Sequence, residues 1–531
     1  MKVLTFNESA RVAVALCSAS VVTAITTALT TKTLSGYSFL IHVLTWPIRY
    51  ITQRISAWIF LFNGPQMIQS AFDKAGGKPF ELFAPDIRCV FISSSDQIKE
   101  LDSAPDTVLS LQAASKQMLQ PKYSMHGFNW FDRRGTEGVG FIRALRTLLT
   151  NHLPAIMPDL RIVLTTKLRS LVSAHRQKFS SGKEASELAI YPMIVQLVVL
   201  ANSLSFFGSD LAKNEKFMTA ALSYVEETIL VAEIIRLLPR FLHPLAGKLL
   251  RGFATSQAAI YDALMVTAEE RVRERDLGHR GKKYNDCIQW IMETSPKANP
   301  WSAQRVVFEL IAIWFGSVHA MSTTITFCIE DLCLHPEYAA PLRHELQSLQ
   351  YADFETKARG LPLLDSFIKE SARLTPVESL STRRQALQPF TLADGTHLNV
   401  GDWACTPVRA LMQDPRHYPS ALSFHGFRFV EPSYLDSLPS EYPPSSTQQV
   451  LQPEPSKLTD VGGSFHVWGT GRMACPGRFY AAAIMKIIVA QVVLDYEVEL
   501  VDPEKGRWWQ WRSTVLPRES TMVRFTERER C

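Results

Sequence analysis

The sequence predicts a mainly α fold with a smaller β-rich lobe, on three observations. Helical periodicity runs with few breaks from about Gly138 to Leu374. Short strand-like pieces, "PFELF" and "RCVFIS", precede it. Alternation returns late in "QPFTLADGTHLNV", where Asp394-Gly395 stands between two alternating runs as a hairpin turn.

Taken in order, the chain of 531 residues opens with an uncharged run from Val12 to Thr31, flanked by Arg11 and Lys32. Its length matches the roughly 20 residues that span a bilayer. Seven of those twenty positions are Ser or Thr, and a cleaved secretory signal has a similar outline. The eight cysteines, with no C-x-x-C pair and no regular spacing, give neither a disulfide framework nor a zinc ribbon and suit a reducing compartment. Residues 1–33 are therefore expected to form an uncleaved membrane anchor with a cytosolic body. Residues 34–64, apolar but broken by Arg49 and Arg54, read as an interfacial linker segment. Residues 65–531 form the body.

Three helices carry that body. "SAQRVVFELIAIWFGSVHAMSTTITFCIEDLCL" is apolar on nearly every face and must cross the protein interior. It ends before His335-Pro336, where proline opens the next helix. "PLLDSFIKESARL" is amphipathic, and "GRFYAAAIMKIIVAQVVL" is a core helix. Between them, Glu431 to Ser464 holds six prolines and no apolar period, a long irregular connection.

Composition narrows the partners. Lys plus Arg exceed Asp plus Glu by 5 (56 against 51), and no basic tract is interleaved with aromatics, so no nucleic-acid partner is expected. "EIIRLLPRFLHPLAGKLLRGF" carries Arg236, Arg240, Lys248 and Arg251 with no acid after Glu233. Such a stretch suits a membrane surface, although a helix pair packed on the core has the same composition.

The chemistry gathers at "WGTGRMACPGRF". Cys475 stands at a helix start, where free N–H groups and the macrodipole favour a thiolate. Glycines around it let backbone approach a flat ligand. A thiolate so presented ligates iron, whereas a free cysteine beside a glycine turn is the plain structural reading. In "FIKESARLTP", Glu370 and Arg373 share a helical face, as surface pairs also do. "FHGFRF" sets Arg428 between aromatics, where a buried guanidinium needs a carboxylate such as Glu370.

In this order the motifs resemble the cytochrome P-450 haem-thiolate monooxygenases, closest to the fungal microsomal type. The match runs from about Pro65 to Val501 and includes "LHPEYAAPLRHEL" and "ADGTHLNVGDWACTPVRALMQDPRHYP". The resemblance implies the cytochrome P-450 fold and heme b with iron axially ligated by Cys475. Trp468, Gly469, Gly477, Arg472 and Arg146 are the further cofactor-binding residues it suggests, and Glu370, Arg373 and Arg428 a structural triad. It also implies an NADPH-cytochrome reductase as partner, the endoplasmic reticulum membrane as location with the catalytic domain facing the cytosol, and insertion of one oxygen atom from O2 into an apolar small molecule. A terpenoid, alkaloid or polyketide of fungal secondary metabolism is the expected class. Three departures stand out. Trp468 replaces the family's usual Phe. Met473 occupies a position where the family has a cation for a haem propionate, leaving Arg472 next to it, and Arg143 or Arg146 on "GFIRALRTLL", to reach that group or solvent. In "GSVHAM", His319 takes the acid position and Ala320 removes the hydroxyl that the family assigns to proton delivery. Thr323 and Thr324, three and four positions on, bring hydroxyls to that face unless they bond back into the helix. His319, Thr323 and Thr324 are thus the candidate catalytic residues, with a satisfied core histidine as the alternative for His319. A haem-thiolate isomerase or dehydratase working without O2, or a non-catalytic haem or lipid-binding protein, stays open beside the monooxygenase.

Overall fold

The computed structural model describes residues 35–125, 140–178, 184–278, 284–439, 442 and 454–529. The anchor expected at 1–33 lies outside them. Contacts separate a short unit, Met1–Ser56, from a large one, Ala57–Cys531, and the candidate site lies wholly in the second. Helix α1, Ser35–Ala75, is interrupted by the non-helical Asn63.

Strands β1 (Phe80–Phe83) and β2 (Arg88–Phe91) are the two pieces expected from their alternation, and they pair antiparallel. Helix α2 (Ser95–Ser103) starts at Ser94, whose side chain accepts the Gln97 N–H, and β3 (Leu109–Ser110) follows. The helical section then includes α3 (Thr150–Ser173), α4 (Ile190–Phe207), α5 (Glu215–Leu237), α6 (His243–Arg251) and α7 (Ser256–Asp276). Next come the central helix α8 (Ala303–Leu334) and the amphipathic α9 (Pro362–Leu374). Ser302 caps α8 by accepting the Arg305 N–H, which satisfies one of the free donors at its start. Helix α8 packs against α4, α7 and α9.

Both α4 and α8 are long and apolar enough to cross a membrane, but 78% and 67% of their apolar windows are buried inside the protein. They are core helices, and their hydrophobicity serves packing from all sides.

The late alternation is also realised. β6 (Ser381–Ala386), β7 (Phe390–Thr391), β8 (His397–Leu398) and β9 (Trp403–Thr406) follow α9. β7 and β8 form the expected hairpin, Phe390 facing Leu398, and Gly395 takes the left-handed φ of +87° that its turn requires. A five-stranded sheet has the order β1-β2-β9-β6-β3, in which β2 and β9 run parallel. After helix α10 (Arg478–Asp495) come β10 (Tyr496–Leu500), the hairpin β11–β12 (Trp508–Trp511, Thr514–Pro517) and β13 (Met522–Glu527). Two strands interrupt the helical section where none was expected, β4 (Arg176–Lys178) and β5 (Glu184–Ala189), and they complete a sheet β10-β13-β5-β4. The segment "EASELA" has little intrinsic strand preference. Its strand is set by β13, which pairs Met522 with Ala189 and Phe525 with Ser186.

Candidate active site around Cys475

Two glycines shape the approach to Cys475. Gly469 and Gly471 both have positive φ, +78° and +54°, and a Cβ on Gly471 would lie 2.6 Å from Asp102 Oδ2. The loop closes on itself where the Cys475 N–H donates to the Trp468 carbonyl at 2.7 Å. Trp468 is fixed in turn by donating its indole N–H to the Leu458 carbonyl, 2.6 Å. Cys475 is half-buried, unlike the fully buried Cys89, Cys287, Cys328 and Cys405. Burial pushes its thiol pKa up, while hydrogen bonds from the Gly477 and Arg478 N–H groups and the Arg478 charge pull the other way. Those N–H groups belong to the start of α10, as helix-terminal donors should. At Gly477 an added Cβ would meet only Leu145 Cδ1, at 3.9 Å.

Asp102, at the end of α2, staples this loop to the β-rich lobe. Its Oδ1 accepts from Thr470 Oγ1 at 3.0 Å and from Arg384 Nη2 of β6 at 3.2 Å. Arg472 is committed to the same neighbourhood, its guanidinium bonding the Asp102 and Ala104 carbonyls and Asp106. These bonds use its Nε and Nη2 donors and hold the side chain at the end of α2. Arg146 does reach the loop, donating to the Arg472 carbonyl at 3.2 Å. It sits in a π-helical turn, Ala144–Leu149, between the short helix Gly140–Arg143 and α3. Glu309 of α8 holds the short helix ahead of that turn by accepting the Phe141 N–H at 3.0 Å while paired with Arg305.

The triad is assembled as expected. Glu370 accepts from Arg373 Nε and Nη2 at 2.7 and 2.9 Å, from Arg428 Nε at 3.0 Å, and from the His425 N–H at 3.0 Å. The three side chains are fully buried. Remaining guanidinium donors bond carbonyls, Met412 and Ala421 for Arg373 and Pro419 for Arg428, so the loop ahead of the cysteine segment is gathered onto α9.

On α8, Gly316 and Ala320 are exposed although most of the helix around them is buried, and a Cβ on Gly316 would meet nothing within 4 Å. Among the described residues, nothing packs on Gly316. Beside it, His319 Nδ1 lies 2.9 Å from the Tyr191 hydroxyl, and burial lowers the imidazole pKa to about 4. Ser317 accepts from Asn202, which accepts in turn from Tyr480, so α4 ties the central helix to α10. Thr324 is corrected: its hydroxyl donates to the Ala320 carbonyl at 2.9 Å, which spends its proton inside the helix. Thr323 is fully buried with no such partner.

One cluster escaped the sequence reading. Asp86, Arg236, Glu233 and Arg512 form a closed ring of alternating charge, with contacts of 2.7 to 2.8 Å. Arg236, expected on a basic surface, is turned inward to complete it. Trp511 adds its indole N–H to Glu233 at 3.1 Å. The ring ties α5 to β11 and to the β1–β2 turn.

The family model described as Cytochrome P450 matches residues 58–525. The chain is a cytochrome P450. This P450 is 27% identical over 482 residues to cytochrome P450 monooxygenase 151 of Postia placenta, covering 88% of this chain and 90% of that protein. It is 28% identical over 448 residues to cytochrome P450 monooxygenase olcJ of Penicillium canescens, covering 82% and 78%. A retinoic acid-bound cyanobacterial CYP120A1 structure shares the fold with a TM-score of 0.62 at 16% identity, over 88% of this chain and 97% of that one. The cytochrome P450DA heme domain does so at 0.63 and 14%, over 87% and 93%. The P450 is an oxidoreductase, a monooxygenase of a family that uses haem iron, a redox partner and a small-molecule substrate. Its residues fit that group: a half-buried cysteine whose sulfur receives two N–H donors, beside glycines, is a donor set for an anionic iron ligand.

Proposed function

We propose that this P450 inserts one oxygen atom from O2 into an apolar small molecule of fungal secondary metabolism, a terpenoid, alkaloid or polyketide, using heme b held by Cys475. The observation that carries the reading is Cys475 itself, a half-buried cysteine in a glycine loop braced by the first N–H groups of α10. When bound, haem supplies the iron at which oxygen is activated. The chain holds it through Cys475, with Trp468, Gly469 and Gly477 shaping the loop and Arg146 supplying a cation at its edge. Triad and Asp102 staple keep that loop rigid. The Gly316–Ala320 stripe, exposed among the described residues, leaves room for substrate, and His319 and Thr323 are polar groups that border it.

An NADPH-cytochrome reductase delivers the electrons, and the body faces the cytosol from the endoplasmic reticulum membrane. Support for membrane contact comes from the exposed Phe241, Leu245, Leu249 and Phe253, at 80%, 59%, 63% and 82%, an apolar face of the kind that rests in a lipid interface. The anchor at 1–33 belongs to the same reading.

The test is spectroscopic. Reduced protein with carbon monoxide should give the red-shifted Soret band of thiolate ligation, and Cys475→Ala should lose it. Retention of the band in the alanine variant would refute the ligand. Turnover with and without NADPH, reductase and O2 then separates a monooxygenase from an isomerase, a dehydratase or a silent binding protein.

A further inference from the structure

Glu378 is a carboxylate set among buried residues and not fully covered by them. It follows Pro376 and Val377 after α9, and its side chain is 32% exposed although Pro376, Ser379 and Leu380 around it are buried. Backbone bonds clamp the segment on both sides: the Val515 N–H donates to the Val377 carbonyl and the Ser379 N–H to the Ser513 carbonyl, each at 2.7 Å. Two hydroxyls aim the carboxylate, Ser513 donating to Oε2 at 2.8 Å and Thr514 to Oε1 at 2.9 Å. Arg383 of β6 stands 3.3 Å from Oε2. A carboxylate has about four acceptor positions, so among the described residues one is left on Oε1 for a further donor. Strand β12, which supplies Thr514, packs against α8, the helix with the exposed Gly316–Ala320 stripe. Towards the other end of the same segment, Ser381 donates to the His466 carbonyl at 2.9 Å and Thr382 meets Thr470 at 3.2 Å. One short stretch thus runs from the strand beside α8 to the loop that precedes Cys475, and Glu378 stands on it between the elements that carry the stripe and the sulfur.

We propose that Glu378 selects the substrate, its Oε1 accepting an N–H or O–H from a molecule that is otherwise apolar. The proposal rests on the haem reading above and narrows the substrate class that goes with it. A bare hydrocarbon skeleton has no such donor, so the substrate arrives already bearing a hydroxyl or an amine from an earlier reaction. Arg383 balances the carboxylate's charge, so a neutral hydroxyl suits the site as an ammonium does. The discrimination is moderate. A site whose polar groups are left bare rejects a substrate lacking the partner by about 10⁴–10⁵, but Glu378 keeps its three partners when no donor arrives. Its preference is that of one hydrogen bond to a charged group, about tenfold to a hundredfold.

The experiment takes wild type, Glu378→Gln and Glu378→Asp as haem-loaded full chains and measures, by calorimetry, their affinities for two pairs of probes. Octanol and heptyl methyl ether are neutral and differ in one O–H. Dimethyloctylamine, protonated at about pH 7, and trimethyloctylammonium are both cations and differ in one N–H. Wild type should favour the donor member of at least one pair by about tenfold or more, and the pair that shows it tells hydroxyl from amine. Glu378→Gln, a neutral acceptor, should bring that preference to within about threefold while the ether binds as it does to wild type. A purely structural role would weaken both members of a pair alike. Where Glu378→Gln does not load haem, Glu378→Asp takes its place, since it keeps the charge but draws the oxygens back by one methylene, and the same loss is expected. No preference in wild type, a preference that survives in the variant, or equal weakening of both members would overturn the proposal. A wild type without the thiolate Soret band would sink the haem reading itself, which these binding ratios leave untouched.

Discussion

Removing the Glu370 carboxylate is the perturbation whose size the structure determines best. Glu370 neutralises two guanidinium groups that are themselves fully buried, and it accepts a backbone N–H from His425 as well. Burial already works against the Arg428 cation, lowering its pKa, with Glu370 as the first counterweight. An arginine cannot escape by shedding its proton. Glu370→Ala therefore strands two cations and one N–H, and breaking one buried pair costs about 3–5 kcal/mol. Against the roughly 5–15 kcal/mol that holds a typical domain together, that is enough to prevent most of the protein from reaching its haem-binding state. Glu370→Gln keeps the volume and one acceptor oxygen, so it should fall between Ala and wild type. The assay is haem content per polypeptide after expression, with thermal unfolding of whatever is loaded. Arg428→Ala, which leaves Glu370 with one partner, should also lower haem content. Full loading and an unchanged melting temperature in both alanine variants would refute the reasoning, because a buried charge would then cost nothing when unpaired.

The charge ring gives a pH prediction. Burial by itself would raise the Asp86 pKa, but Arg236 and Arg512 outweigh it and hold the folded value below the ordinary 3.8. A carboxylate depressed in the folded state stabilises above its unfolded pKa and loses that contribution as pH falls through the folded one. Asp86→Asn should accordingly unfold more easily than wild type at pH 7, with the gap closing below about pH 4; a gap that stayed constant with pH would argue against the ring. For the membrane, deletion of residues 1–33 should release part of the protein from microsomes, and Phe241→Asp with Phe253→Asp in that background should release the rest. Full-length protein found wholly in the soluble fraction would reject both contacts.

How much of this was legible beforehand follows from how local each signal is. Cys475, its glycines and the start of α10 lie within a few residues of one another, and their backbone needs are written in the residue types. Glu370 and Arg373 are one helical turn apart, so their pairing needs only helix geometry. Arg428 was reached by asking what a guanidinium between aromatics must find. The charge ring left no such trace: Arg512 meets Asp86 across 426 positions and Arg236 meets it across 150, and no periodicity relates them. The same holds for Asp102, which meets Thr470 across 368 positions. Arg236 misled because a helix rich in cations is usually a solvated face, and only the fold turns one of them inward. Strand β5 was missed because its residues do not favour a strand until β13 lies beside them. Tyr191 was invisible for a simpler reason, being one apolar-helix tyrosine among many until α4 and α8 crossed.

The parallel pairing of β2 with β9 bears on how the polypeptide is made. Cys89 faces Trp403 and Phe91 faces Cys405, so an early hairpin waits for a strand that leaves the ribosome more than three hundred residues later. β5 waits longer, its partner Met522–Glu527 coming near the end of the chain. Contacts so distant in sequence are slow to form, because loop-closure entropy is spent before they are gained. During synthesis both hairpins expose unpaired backbone edges, the usual starting point of aggregation. Recombinant yield should thus depend on chaperone supply and on leaving β13 intact, and a tag belongs beyond Glu527 on a linker and not fused into the last strand.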